Sequence, residues 1–135
     1  MILCSGCFDG LHAGHVSYLL AAAAECQLGE PLVVAVAPDA YIRRVKGREP
    51  SWPVVDRLLT VEALDMVNRA QLHGVDGVAD VIYDLHPRLL VKGEDWRGRL
   101  PADVREACHI AHTDIVYVPE RPTRHTHEIS TLVAR

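Results

Sequence analysis

Two uniformly apolar runs, separated by an Ala- and Leu-rich stretch, constrain this chain more than any other feature. Met1-Ile2-Leu3-Cys4-Ser5 stops at Gly6, and Leu32-Val33-Val34-Ala35-Val36-Ala37 is closed by Pro38. Runs of this kind, without polar alternation, suit strands covered on both faces, as in a parallel sheet. Between them, from Gly14 to Leu28, Val16, Leu19, Leu20 and Ala23 recur at helical spacing, and Gly29 supplies a C-terminal stop. A strand, helix and strand joined in this way must cross over right-handed, which sets the class as α/β.

The remainder repeats the alternation. Val54 to about Val67 has helical spacing through Val55, Leu58, Leu59 and Leu64 and begins just after Pro53. Local pattern alone lets that helix run on to Leu72. Ala79 to His86 makes a short helix before Pro87, and Leu89-Leu90-Val91-Lys92 a strand ending at Gly93. Pro101 opens a helix running to about His112, and Ile115-Val116-Tyr117-Val118 is a last strand before Pro119. With no repeat, low-complexity run or linker, residues 1–135 are expected to form one domain.

Composition narrows the function. Lys and Arg number 14 against 18 Asp and Glu, for a net charge of −4, so there is no basic stripe for nucleic acid or an anionic membrane. No stretch approaches the ~20 apolar residues that span a bilayer, and the N-terminus lacks the pattern of a secretory signal, so a cytoplasmic location is expected. The four Cys then read as reduced thiols, while the eight His raise the question of a metal or catalytic site.

The loop between the first strand and the first helix, Gly6-Cys7-Phe8-Asp9-Gly10-Leu11-His12-Ala13-Gly14-His15, is the most informative stretch. Loops that leave the carboxyl end of a parallel strand and enter a helix N-terminus hold phosphates, because free N–H groups and the helix dipole favour an anion there. His12 and His15, three apart at the start of the helix, are able to turn toward one phosphate and donate to an oxygen gaining charge. Surface or capping roles are the plainer alternative for both.

Gly6-x-Phe8-Asp9-x-x-His12-x-Gly14-His15 resembles the signature of the cytidylyltransferase-like nucleotidyltransferases. Val91-Lys92-Gly93-Glu94-Asp95-Trp96 is similar to segments of glycerol-3-phosphate cytidylyltransferases and heptose-phosphate adenylyltransferases, and Ile129-Ser130-Thr131 to the element opening their last helix. The resemblance implies a single-domain, Rossmann-like, doubly wound parallel sheet of about five strands. It also implies that Leu64-Asp65-Met66-Val67 ends a helix and that Arg69-Ala70-Gln71-Leu72 is a strand, against the local pattern.

The implied reaction is an in-line displacement: an acceptor phosphate oxygen attacks the α-phosphorus of a nucleoside triphosphate, and pyrophosphate leaves. Such chemistry calls for positioning and charge stabilisation. By resemblance His12 and His15 contact the triphosphate, Gly6, Cys7, Phe8 and Gly14 line the nucleotide pocket, and Lys46 is a mobile-loop lysine that reaches the phosphates. Arg43, Arg44 or Arg48 could take that role instead, and Lys46 could equally belong to a solvated basic turn. Arg57 matches a family arginine at the start of the next helix; an ordinary surface charge is the alternative.

Asp9 orients the loop, meets a metal-bound phosphate or caps the helix. Lys92, Gly93, Asp95 and Trp96 lie at or just past a strand's carboxyl end, where Trp96 packs on nucleotide or acceptor or closes the core. Ser130 and Thr131 offer hydroxyls and N–H groups to the leaving phosphates, with Arg121 or Arg124 as the phosphate-binding arginine. The chain departs from the family pattern at Leu132, where a second Thr is usual.

CTP with a glycerol-phosphate-like or phosphonate acceptor is the favoured pairing, on the Gly93–Gly98 segment. ATP with a heptose or sugar 1-phosphate, or with FMN, is the alternative. Mg²⁺ is expected with the nucleotide, and a homodimer is expected from related enzymes. A rival of another class is a small zinc module from Cys4, Cys7, His12 and His15. It is disfavoured, because Cys4 sits in a buried strand and the gap between the ligand pairs is short, so no metal ligand is assigned.

Overall fold

The computed structural model describes residues 1–119; Arg121, Arg124, Ser130 and Thr131, and the expected last helix, lie outside the described residues. Five parallel strands, β1 (Ile2–Gly6), β2 (Leu32–Val36), β3 (Arg69–Leu72), β4 (Leu89–Gly93) and β5 (Asp114–Val118), form one sheet in the order β3-β2-β1-β4-β5. Its helices are α1 (Ala13–Ala24), α2 (Asp39–Lys46), α3 (Val54–Glu62), α4 (Ala79–Leu85) and α5 (Ala102–Ala111). This is the expected α/β, Rossmann-like, doubly wound fold. Strand order reverses between β1 and β4, the switch point at which such sheets bind ligands.

Both faces are dry, which is why β1, β2 and β4 are apolar at nearly every position. Ile2, Cys4, Val34, Val36 and Val91 pack with Leu19 and Ala22 of α1 and Val61 of α3 on one face. Leu3, Val33, Ala35 and Leu90 pack with Val81 and Ile82 of α4 and Val104, Ala107 and Cys108 of α5 on the other.

Several expected boundaries change. The first helix stops at Ala24 instead of Leu28, because residues 25–30 turn back toward β2. Glu30 anchors that turn by accepting from the Gln27 N–H and from Arg88, while Leu28 is left fully exposed. The helix opened by Pro53 ends at Glu62, and Arg69–Leu72 is a strand, as the resemblance implied and the local pattern did not. As the edge strand bonded to β2 alone, it tolerates Arg69 and Gln71.

Helix α2 was not expected at all. Its sequence carries Asp39 in the first turn, Arg43, Arg44 and Lys46 in the last, and Gly47 as a left-handed C-cap, yet only Ile42 is buried. Such thin apolar periodicity hid it. Lys46 therefore ends a helix and does not sit in the expected loop.

Candidate active site

The loop after β1 is built around its own side chains. Phe8 is buried in the left-handed region at φ 50°, and its ring lies over Gly6, where an added Cβ would come within 3.0 Å. A Cβ on Gly14 would come within 2.8 Å of the His12 ring. The reason is the cap of α1. His12 Nδ1 accepts from the Gly14 N–H at 3.0 Å, and the His12 N–H donates to His15 Nδ1 at 3.2 Å, a reciprocal capping box made of two imidazoles.

The capping and catalytic readings of these residues are thus compatible. With both Nδ1 atoms accepting, each neutral ring carries its proton on Nε2, leaving two N–H donors in rings stacked 3.8 Å apart. Burial and the nearby His12 and Lys46 charges push His15 down to about 4, so it donates as a neutral imidazole.

Asp9 orients the loop; the cap belongs to His12. Its carboxylate accepts from the Ser51 and Trp52 N–H groups at 2.9 and 2.8 Å and pairs with Arg48 at 2.8 Å. Burial alone would raise this carboxyl, but the bonds from Ser51, Arg48 and Trp52 together bring it down to about 2. With these partners it braces the β1 loop against the α2–α3 connection.

Arg57 is neither of the things expected of it. It is 0 % exposed and lies outside the cavity described below. Its guanidinium donates to the carbonyls of Trp52, Cys7 and Ala37 and to Asp39 Oδ1. The arginine therefore fixes the backbone behind the loop by joining the ends of β1 and β2 to the start of α2.

The other basic residues sort by partner. Arg43 pairs with Glu49, Arg44 donates to the Val75 carbonyl, and Arg48 holds Asp9. Lys46 lines the cavity and has no hydrogen-bond partner among the described residues.

At the switch point β1 and β4 part company. Their ladder ends at Cys4 and Val91. Beyond it the Tyr18 hydroxyl stands between the strands, accepting from the Ser5 N–H and donating to the Val91 carbonyl. Lys92 fills the next level: 8 % exposed, it donates to Ser5 Oγ at 3.1 Å, and its ammonium lies 4.6 Å from the centre of the Trp96 ring. Burial pulls Lys92 down to about 8, against the opposing influence of Cys4, Asp95 and Cys7. It has no carboxylate in ion-pair contact among the described residues.

A cavity of about 680 Å³ opens over these carboxyl ends. Gly6, Cys7, Phe8, Asp9, His12, Gly14, His15, Lys46, Lys92, Gly93, Asp95 and Trp96 all line it. Tyr18, Tyr41 and His73 line it too, and sequence reasoning assigned none of them a role. For His73 a signal existed: it directly follows Leu72, the end of β3. That strand was visible only through the resemblance.

The donor set suits an anion. Cys4 lies in the core, its thiol pushed up to about 12 by burial, so the Cys4, Cys7, His12 and His15 constellation does not assemble. Among the described residues no three His, Cys, Asp or Glu side chains gather to hold a metal, and the Asp9 oxygens are already bonded.

The cytidylyltransferase-like family profile matches residues 3–135. The chain belongs to that family. It is 43% identical over 98 residues to the bifunctional protein HldE of Halorhodospira halophila, covering 72% of this chain and 20% of that one. With HldE of Streptomyces coelicolor it shares 41% over 108 residues, 79% and 22% of the two chains. The chain thus spans about a fifth of the length of these relatives.

Among solved structures, a lipopolysaccharide core biosynthesis protein from Thermoplasma volcanium superposes with a TM-score of 0.70 at 26% identity, covering 89% of this chain and 94% of that one. A protein of unknown function from Archaeoglobus fulgidus shares the fold, with a TM-score of 0.59 at 15% identity over 89% and 88% of the two chains. No helix of the described residues is long and apolar enough to cross a membrane.

Proposed function

We propose that this chain is a nucleotidyltransferase that transfers the adenylyl group of ATP to the phosphate of a sugar 1-phosphate and releases pyrophosphate. The observation that carries the transfer step is the His12–His15 box. Both Nδ1 atoms are committed to the backbone, so both Nε2–H groups remain as preorganised donors beside the N-terminus of α1. The acceptor oxygen attacks the α-phosphorus in line, the bond to the β-phosphate bridging oxygen breaks, and pyrophosphate carries the charge away. His12, His15 and Lys46 stabilise the oxygens that gain charge, and Lys92 holds a phosphate at the switch point. The triphosphate brings its Mg²⁺ with it.

ATP and a sugar phosphate are favoured by the resemblance to heptose-phosphate adenylyltransferases, by the HldE relatives and by the lipopolysaccharide core neighbour. A second reading, CMP transfer from CTP to a glycerol-phosphate-like acceptor, rests on the Gly93-Glu94-Asp95-Trp96 segment.

The two are separated by measuring pyrophosphate release with each of the four triphosphates, Mg²⁺ and a panel of heptose, hexose and polyol phosphates. The expected result is turnover with ATP and a sugar 1-phosphate. Faster release with CTP and glycerol 3-phosphate supports the second reading, and no release with any pair overturns both.

A further inference from the structure

His73 is 7 % exposed, lies just past the end of β3 and lines the cavity. Its Nδ1 is 2.7 Å from the Gly74 carbonyl, which can only accept, so Nδ1 carries the ring proton. Nε2 is then a bare lone pair, with no partner among the described residues. Tyr41 packs edge-on against the ring at a centroid distance of 4.9 Å and fixes its plane. Burial lowers the imidazole's proton affinity and keeps the lone pair free.

A buried acceptor without a donor costs stability unless a ligand supplies one. The groups proposed to meet phosphates lie toward the other end of the cavity: His12, His15 and Lys46 line it there, and Lys92 and Trp96 flank the switch point. His73 follows β3, on the side of β2 away from that switch point, and Tyr41 and Asp76 line the cavity on the same side. Phosphates are repelled by carboxylates, whereas hydroxyl groups donate to them.

Building on the reading of the site as a sugar-phosphate nucleotidyltransferase, we propose that His73 Nε2 accepts a hydrogen bond from a hydroxyl of the acceptor sugar and so selects polyhydroxylated acceptors. His73 is then a specificity-determining residue that takes no part in the chemistry at phosphorus. Losing one such bond in a closed site costs roughly 10- to 100-fold in acceptor recognition.

The test takes the sugar 1-phosphate that the wild-type protein turns over best with ATP, and its monodeoxy analogues. His73→Phe keeps a flat ring without the lone pair, and His73→Gln places an amide oxygen near the position of Nε2. The expected result is an acceptor KM raised at least about 10-fold in His73→Phe, with the ATP KM unchanged and partial recovery in His73→Gln. One deoxy analogue should lose the same factor on the wild type and nothing further on His73→Phe.

An acceptor KM within about 2-fold of wild type in a folded His73→Phe overturns the inference while leaving the sugar-phosphate reading intact. A rise confined to the ATP KM also overturns it, because the lone pair would then read the base amino group. If His73→Phe fails to fold, the deoxy series on wild type and His73→Gln decides. A loss of less than about 2-fold on the wild type for every analogue rejects the bond. No turnover of any sugar phosphate by the wild type ends the parent reading and the inference together.

Discussion

His12 holds two jobs that one substitution can separate. Its Nδ1 caps α1, and its Nε2–H is left for the phosphates in the proposed reaction. Asn is among the best N-cap residues and offers an oxygen near Nδ1, but it cannot reach as far as Nε2. His12→Asn is therefore expected to melt within a few degrees of the wild type while kcat falls roughly 100-fold, the usual cost of one oxyanion donor. Thermal melts run beside pyrophosphate release check both halves. A second prediction concerns acid. Unfolded imidazole titrates near about 6.5, whereas folded His15 is held at about 4, so the unfolded chain takes up that proton first. Stability should fall from pH ~6.5 to ~4 on this account and then level off. Asp9 adds a separate loss: its contribution is complete above about 3.9 and disappears as pH drops through about 2. Urea midpoints against pH should show both segments, and His15→Gln should flatten only the upper one.

At the scale of elements, the site depends on joints between segments that bring little affinity of their own. Arg57 binds carbonyls at the ends of β1 and β2 together with Asp39 at the start of α2. Replacing it with Ala leaves the buried Ala37 carbonyl and the part-buried Cys7 carbonyl and Asp39 carboxylate without this partner, and the expected loss is about 3 kcal/mol of unfolding free energy, measurable by urea titration. An arginine that merely touched nucleotide would show unchanged stability and a raised nucleotide KM. Sequence spacing put Arg57 near the start of a helix but carried no information on which side faces water. The same limit hid α2, whose caps and charges are regular while its apolar stripe is nearly absent. Tyr18 was equally invisible as a spacer. It reads as one more residue of an apolar helix until β1 and β4 are seen to part around its hydroxyl.

For the whole molecule, a net charge of −4 and the proposed anionic substrate are reconciled by placement. Carboxylate partners neutralise Arg43, Arg48, Arg57, Arg88 and Arg97, while Lys46 and Lys92 face the cavity without a carboxylate in contact among the described residues. Local potential governs binding. Raising NaCl from about 0.05 to about 0.5 M should therefore weaken ATP binding several-fold despite the overall negative charge, because screening acts on the local contacts. Titration calorimetry at both salt levels checks this.

What the sequence determined by itself was the class of fold and the loop proposed to hold phosphate. Apolar runs with a helix between them admit essentially one handedness of connection, and the glycine and histidine spacing from Gly6 to His15 is local enough to be read directly. Only the tertiary structure decided which charged side chains are free. That depends on burial and on partners tens of residues away, as with Arg57 and Cys7, Asp9 and Ser51, or Lys92 and Ser5. It also brought Tyr41 and His73 together, because β2 and β3 lie side by side only once the sheet has formed.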